Sequence, residues 1–319
     1  VRKLQLAQAE FRSLMLYPNT LAVALAAGYS FSKACRIDSS EKLSGPHRRL
    51  AGKNLPGPEQ ASEEAMDSVI SRYGSRIAYE IIGQGPTLIY ITGAVCHRHF
   101  QPVLDDARAF GKHFSVYHYD RRGRGDSTDT PPYATLKEVD DLEALIEAAG
   151  HEVILYGHSS GAVLALEAAL RMPEKIHKAL IYDAPYVASA ADQNEFQNIR
   201  EAIRRLLQQD KKREAVTTFL RAIGTPWIFT MLMRLIPGWS RTVELAPTLL
   251  YDIALTETTP PLDRLKQIRV PLRIACGGRS TAGIQDVARR LHEAIPDSEL
   301  NIVPRADHMI GARQILELL

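Results

Sequence analysis

The chain has 319 residues, 45% of them hydrophobic and 24% charged, which fits a globular protein with one large α/β domain or two smaller ones. A formal net charge of +2 argues neither for nucleic acid nor for a membrane surface as partner, and the chain has no phosphate-loop, dinucleotide or H-E-x-x-H motif. Cys35, Cys96 and Cys276 are odd in number and far apart, so a disulfide framework is not expected, and reduced thiols in a cytoplasmic setting are.

The first 65 residues differ from the rest. An apolar run at 21–27 follows the basic residues Arg2, Lys3 and Arg12, which gives it some signal-peptide character. Glu10 and Pro18 interrupt that pattern, and the run is too short to span a bilayer. Residues 36–64 are polar and rich in Gly, Pro and Ser, a linker-like composition. Met66 is read as the start of the functional domain, and 1–65 as an extension or translated upstream sequence.

From there, 67–72 and 76–82 read as two strands around a turn at 73–75, and 87–92 as an apolar strand ending at Gly93. A helix is predicted over 101–112 and a strand over 114–119. The segment 135–149 is an amphipathic helix with Leu136, Val139, Leu142, Leu145 and Ile146 on one face, stopped by Gly150. The strand 153–156 enters Gly157-His158-Ser159-Ser160-Gly161, and an Ala/Leu-rich helix leaves it, ending near Pro173. Strands at 179–182, 272–276 and 299–303 and a helix at 284–294 complete the pattern. Strands alternating with helices imply a mostly parallel sheet covered on both faces, with the opening hairpin as an antiparallel edge. Residues 186–262 break the rhythm, with helices at 192–209, 211–222, 226–236 and 243–255. This helical insertion after the sixth strand is read as a lid over the strand ends, or as a purely structural subdomain. The core is then 66–185 together with 263–319.

The G-x-S-x-G pattern carries chemistry because a serine at a sharp strand-to-helix turn needs small neighbours two positions away on each side. Such a turn exposes the Ser159 hydroxyl and places backbone N–H groups of a helix N-terminus beside it. A hydroxyl is a poor nucleophile at neutral pH and needs a base.

Four stretches together resemble the α/β-hydrolase superfamily, specifically its lid-bearing serine esterase and lipase-like members. They are Tyr90-Ile91-Thr92-Gly93-Ala94, the segment Tyr119-Asp120-Arg121-Arg122-Gly123-Arg124-Gly125-Asp126-Ser127, the serine turn, and Ala306-Asp307-His308. The resemblance covers residues 66–319 and implies an α/β-hydrolase fold. It makes Ser159 the nucleophile and His308, beyond the last strand, the base. Members of the family usually carry the acid after the strand at 272–276, but Ser280 stands at that place. The resemblance allows the acid one strand earlier, where Asp183 ends a strand and keeps the order Ser…Asp…His. Asp286, inside the following helix, or no acid at all are the alternatives. The oxyanion donors implied are the N–H groups of Ser160 and of Ala94, with Val95 as an alternative to Ala94.

The charges of Asp120, Arg121, Arg122, Arg124 and Asp126 are read as pins between adjacent loops rather than as catalytic groups. His97-Arg98-His99 lacks a third ligand, so no metal or cofactor is expected. His158 is expected to pack or to line the pocket. The apolar run 226–239, with Trp227 and Met231, is read as a possible substrate-binding face. These readings point to hydrolysis of a carboxylic ester, or a related lactone or thioester, of a hydrophobic small molecule. A non-catalytic ligand-binding protein is the competing reading, and a peroxide-using or C–C-bond-cleaving relative is a third.

Overall fold

The computed structural model describes residues 67–319 apart from 151, 188–189, 226, 236–237 and 258. The extension read over 1–65 and its boundary at Met66 lie outside the described residues. Eight strands form one sheet: β1 (Asp67–Ile70), β2 (Arg76–Ile82), β3 (Thr87–Ile91), β4 (Ser115–Tyr119), β5 (Val153–His158), β6 (Ile176–Tyr182), β7 (Leu272–Gly277) and β8 (Glu299–Val303). Their spatial order is β1-β2-β4-β3-β5-β6-β7-β8. β2 runs antiparallel to both β1 and β4, and all later neighbours are parallel.

The sheet is covered on both faces, which explains why β5 is apolar almost without interruption. Alternate residues serve two cores. Ile89, Leu155 and Ile181 face α2 (Thr135–Ala149), α3 (Ser160–Arg171) and α10 (Ala282–Ala294). Leu88, Ile154, Tyr156 and Leu180 face α1 (Gln101–Phe110) and α11 (Ala312–Leu316). On the second face Tyr90 and Tyr156 stack at 5.2 Å, and Phe110 meets both edge-on. Each such aliphatic side chain withdrawn from water contributes about 1.5–3 kcal/mol. Four of the five apolar residues predicted for one face of α2 are fully buried, but Leu136, in the first turn, is exposed.

Between β6 and β7 lie α4 (Ala190–Gln208), α5 (Lys212–Ala222), α6 (Trp227–Leu232), α7 (Trp239–Glu244), α8 (Leu249–Thr256) and α9 (Leu262–Leu265). The helix expected over 226–236 is a short α6 followed by a 3₁₀ turn, and the one expected over 243–255 is divided. Pro247 explains the second difference, since it has no N–H to donate and its ring clashes with the carbonyl four residues back. The chain turns through Ala246–Thr248 before α8 begins. A third apolar cluster joins this insert to the loop after β3: Ile203, Val216, Trp239, Val243, Leu249 and Ile253 pack with Val95.

A buried ion pair and a buried histidine make measurable contributions to the stability of this fold. Arg122 donates from Nε and Nη2 to the Asp141 carboxylate at 2.7 and 2.8 Å, and from Nη2 to the Lys137 carbonyl. Burial raises the Asp141 pKa to about 6 against the opposing pull of Arg122. Arg122→Met should destabilise the fold by about 3–5 kcal/mol in urea unfolding, and Arg122→Met/Asp141→Leu should recover most of that, because the single change leaves a charge buried alone.

His118, 0% exposed on β4, is pushed down to about pKa 4 by burial, although Glu80 Oε2 at 3.5 Å pulls the other way. A histidine of the unfolded chain takes up a proton near pH 6.5, while folded His118 stays neutral. Its contribution to stability is therefore complete above about pH 6.5 and is lost as pH falls towards 4. Asp106 and Asp141, both raised to about 6, contribute the opposite slope, so the informative quantity is variant minus wild type. His118→Gln should flatten the fall in unfolding free energy between pH 6.5 and 4, measured by urea titration at each pH.

Candidate active site

Ser159 joins β5 to α3 with φ 56° and ψ −126°, a conformation that side-chain-bearing residues rarely adopt. It is over-determined by its neighbours. Ser159 N–H donates to the Tyr182 carbonyl at 3.0 Å, and Ala162 N–H to the Ser159 carbonyl at 2.8 Å. Two glycines permit the close approach. A Cβ on Gly157 would lie 2.4 Å from the Gly161 carbonyl oxygen, and one on Gly161 would lie 2.2 Å from that of Ile91. Ser160 is the first residue of α3, where N–H groups have no intrahelical acceptor. Across from it runs the loop after β3, in which a Cβ on Gly93 would come 2.9 Å from Ser159 Cβ. Ala94 and Val95 follow, the latter at φ 50°.

Asp183 is the residue after β6, at φ 51° and 1% exposed. Its backbone N–H donates to the Ala275 carbonyl at 3.0 Å. Its carboxylate accepts three hydrogen bonds: Gly277 N–H at 3.0 Å on Oδ1, and Ser280 Oγ at 2.6 Å with His308 Nδ1 at 3.0 Å on Oδ2. Ser280, at the place where the family resemblance puts a carboxylate, is thus a hydroxyl donor to the carboxylate one strand away. Asp286 pairs instead with Arg290 at 2.8 Å on α10.

His308 sits in the loop after β8, and that loop is tethered by its backbone. His158 Nε2–H donates to the His308 carbonyl at 2.8 Å, and Tyr182 O–H donates to the Asp307 carbonyl at 2.7 Å. The imidazoles of His158 and His308 lie 4.9 Å apart, centre to centre. Burial, followed by the proximity of His308, holds His158 down at about pKa 4, so it is neutral at physiological pH. Trp227 and Met231, read as a substrate-binding face, are 44% and 47% exposed on α6. Trp239, from the same apolar stretch, is buried in the cluster around Val95.

The charges after β4 pin loops. Asp120 accepts from the backbone N–H of Arg98 at 2.7 Å and from that of Asp126 at 2.9 Å, and it pairs with the Arg98 guanidinium. His99 Nε2 contacts Glu80 at 2.7 Å. Arg121 and Arg124 reach further. Arg121 donates to Glu138 at 2.6 Å, to the Thr92 carbonyl at 3.2 Å and to Ser160 Oγ at 3.0 Å. Arg124 donates to the Gly93 carbonyl at 2.6 Å. Both arginines also bind Asp252 of α8, whose Oδ1 accepts from Ser160 Oγ at 2.7 Å. Burial pushes the Asp252 carboxyl up, but Arg124 and Arg121 outweigh it and hold the group below its usual range. Sequence reading did not single out Asp252, because an acid on an apolar helix far along the chain carries no local signal.

This arrangement can present a hydroxyl, an imidazole backed by a buried carboxylate, and backbone donors at one sheet edge. Among solved structures, an alpha/beta hydrolase from Sphaerobacter thermophilus DSM 20745 is 33% identical with a TM-score of 0.69, the match covering 79% of this chain and 98% of that one. An esterase from Exiguobacterium antarcticum is 18% identical with a TM-score of 0.63 over 79% of this chain and 95% of its own. Among curated proteins, the pimeloyl-(acyl-carrier protein) methyl ester esterase of Nitrosospira multiformis is 21% identical over 243 residues, 72% of this chain and 90% of the relative. Residues 88–314 match the sequence model described as the alpha/beta hydrolase family, and with a match of that span on a sheet of this order the chain belongs to that family.

Proposed function

We propose that this hydrolase cleaves carboxylic esters of hydrophobic small molecules through a covalent acyl-enzyme on Ser159. The observation that supports it most is the 3.0 Å contact between His308 Nδ1 and the buried Asp183 carboxylate, one strand over from the Ser159 turn. With Nδ1–H held by Asp183, Nε2 is the ring nitrogen left to act as base. Ser159 Oγ attacks the ester carbonyl carbon and its proton passes to His308 Nε2. The carbonyl π electrons move onto oxygen, and the oxyanion accepts from the N–H groups of Ala94 and Ser160. Collapse of the tetrahedral intermediate breaks the bond to the alcohol, which leaves with the proton from His308. Water, deprotonated by His308, then attacks the acyl carbon. The second tetrahedral intermediate collapses, the bond to Ser159 Oγ breaks, and Oγ takes the proton back from His308 as the acid leaves.

Asp183 favours the productive tautomer and stabilises the imidazolium. His158 holds the carbonyl of the base from behind, and being neutral it adds no positive charge beside the imidazolium. Ser159 Oγ makes no hydrogen bond to a described residue in this structure, and contacts of this kind tighten when substrate binds. The partly exposed Trp227 and Met231 on α6 are assigned to the apolar part of the substrate.

Ser159→Ala should abolish both fluorophosphonate labelling and hydrolysis of p-nitrophenyl esters while leaving the circular dichroism spectrum unchanged. Equal turnover in that variant would overturn the proposal. Asp183→Asn should lower kcat by a large factor, on the order of 10⁴ in the best-studied triad, because the amide favours the wrong tautomer. Asp286→Asn, whose carboxylate is engaged with Arg290, should leave kcat within about twofold of wild type.

A further inference from the structure

We infer that Asp252 is a positioning residue for the oxyanion site, acting from the helical insert on both backbone donors at once. The inference rests on the acyl-enzyme reading above and extends it to a residue that touches neither substrate nor nucleophile. Asp252 is 2% exposed and reaches the two donor segments by separate routes. Towards Ser160 the route is direct, since Ser160 Oγ donates to Asp252 Oδ1 at 2.7 Å. Towards the loop after β3 it runs through the arginines. Arg124 is held by both carboxylate oxygens at 2.8 Å and passes its other nitrogen to the Gly93 carbonyl at 2.6 Å. Arg121, held at 2.9 Å, donates from the same nitrogen to Thr92 O at 3.2 Å and to Ser160 Oγ at 3.0 Å.

A carbonyl and the N–H of the following residue share one rigid peptide plane. Fixing Gly93 O therefore orients the Ala94 N–H, and it does so without contacting that N–H. Fixing the Ser160 side chain holds the first turn of α3 against the same anchor. One carboxylate thereby references two donors, on different segments, to a common point. The charges balance locally: Arg121 and Arg124 face Asp252 and Glu138, and Glu138 also accepts from Tyr133 O–H at 2.8 Å. A buried ionic cluster of this kind adds little net stability, because desolvation opposes the Coulombic gain. The geometric effect is what distinguishes it from an apolar filling of the same space.

The test uses the full chain and three variants: Asp252→Asn, Ser160→Ala, and Arg122→Met as a control in which an equally buried ion pair away from both donor segments is broken. The readouts are the rate of Ser159 labelling by a fluorophosphonate, kcat and KM for p-nitrophenyl butyrate, and the inhibition constant of phenylboronic acid, which forms a tetrahedral adduct. Asp252→Asn is expected to lower kcat and the labelling rate by about 10²-fold, the scale of a misplaced oxyanion donor, and to weaken boronate inhibition by a comparable factor with KM within about twofold. Ser160→Ala, which keeps its N–H and removes only the tether, should lose about tenfold in kcat and keep the inference testable if Asp252→Asn fails to fold. Arg122→Met should lose stability and keep kcat. Unchanged or raised kcat in both Asp252→Asn and Ser160→Ala would overturn the inference, as would parallel losses of kcat in Arg122→Met. A wild-type chain that does not label would instead overturn the acyl-enzyme reading itself, and the inference with it.

Discussion

A side chain at positive φ is held there by its surroundings or not at all. Val95, Ser159 and Asp183 all carry φ near 50°, and each lies just beyond the end of a parallel strand at one edge of the sheet. Conformations of this sort cost about 1–3 kcal/mol each. For valine the cost is greatest, because its branched Cβ crowds the backbone most. At Ser159 and Asp183 the sheet offsets this cost through backbone bonds carried one residue past the end of the strand. The Tyr182 carbonyl fixes Ser159 N–H, and the Ala275 carbonyl fixes Asp183 N–H. The chemistry-bearing backbone is thus an extension of the sheet's own hydrogen bonding, and the aromatic and aliphatic cores on both faces keep those strands in register.

The helical insert is tied to the site by two different kinds of contact. Its apolar residues Ile203, Val216, Trp239, Val243, Leu249 and Ile253 close around Val95, while Trp227, Met231, Leu232 and Leu235 remain exposed. Asp252, its one buried acid among the described residues, enters the charged layer beneath the same loop. Apolar packing is tolerant of small shifts, whereas a fork of charged hydrogen bonds is directional. The two together place the loop in depth and in orientation.

Much of this was legible in the sequence because it is periodic or local. The continuous apolar run of β5 and the Ala/Leu-rich stretch of α3 announce themselves, and so does the serine between two glycines. Asp183 could be named because the family resemblance allows an acid one strand earlier than usual, where a strand ends in an aspartate, and because Ser280 stands at the usual place. What was not legible depends on long-range contacts. Asp252 meets Ser160 across 92 positions and Arg121 across 131, and nothing near it in sequence distinguishes it from a helix-surface acid. The division of the predicted 243–255 helix follows from Pro247, local chemistry that hydrophobic periodicity alone masks. Leu136 follows the apolar period of α2 yet lies exposed in its first turn, since a helix end can run past the surface it packs on.

The hydroxyl of Ser280 settles how many negative charges the imidazole faces. An aspartate has no proton to donate at neutral pH, so two carboxylates meeting at 2.6 Å would have to share one. A serine in that position supplies the proton itself, and Asp183 Oδ2 accepts the hydrogen bond. The loop after β7 thus enters the site as a neutral donor. The group opposite His308 is therefore a single carboxylate carrying a hydroxyl donor, and not a pair of carboxylates pressed together.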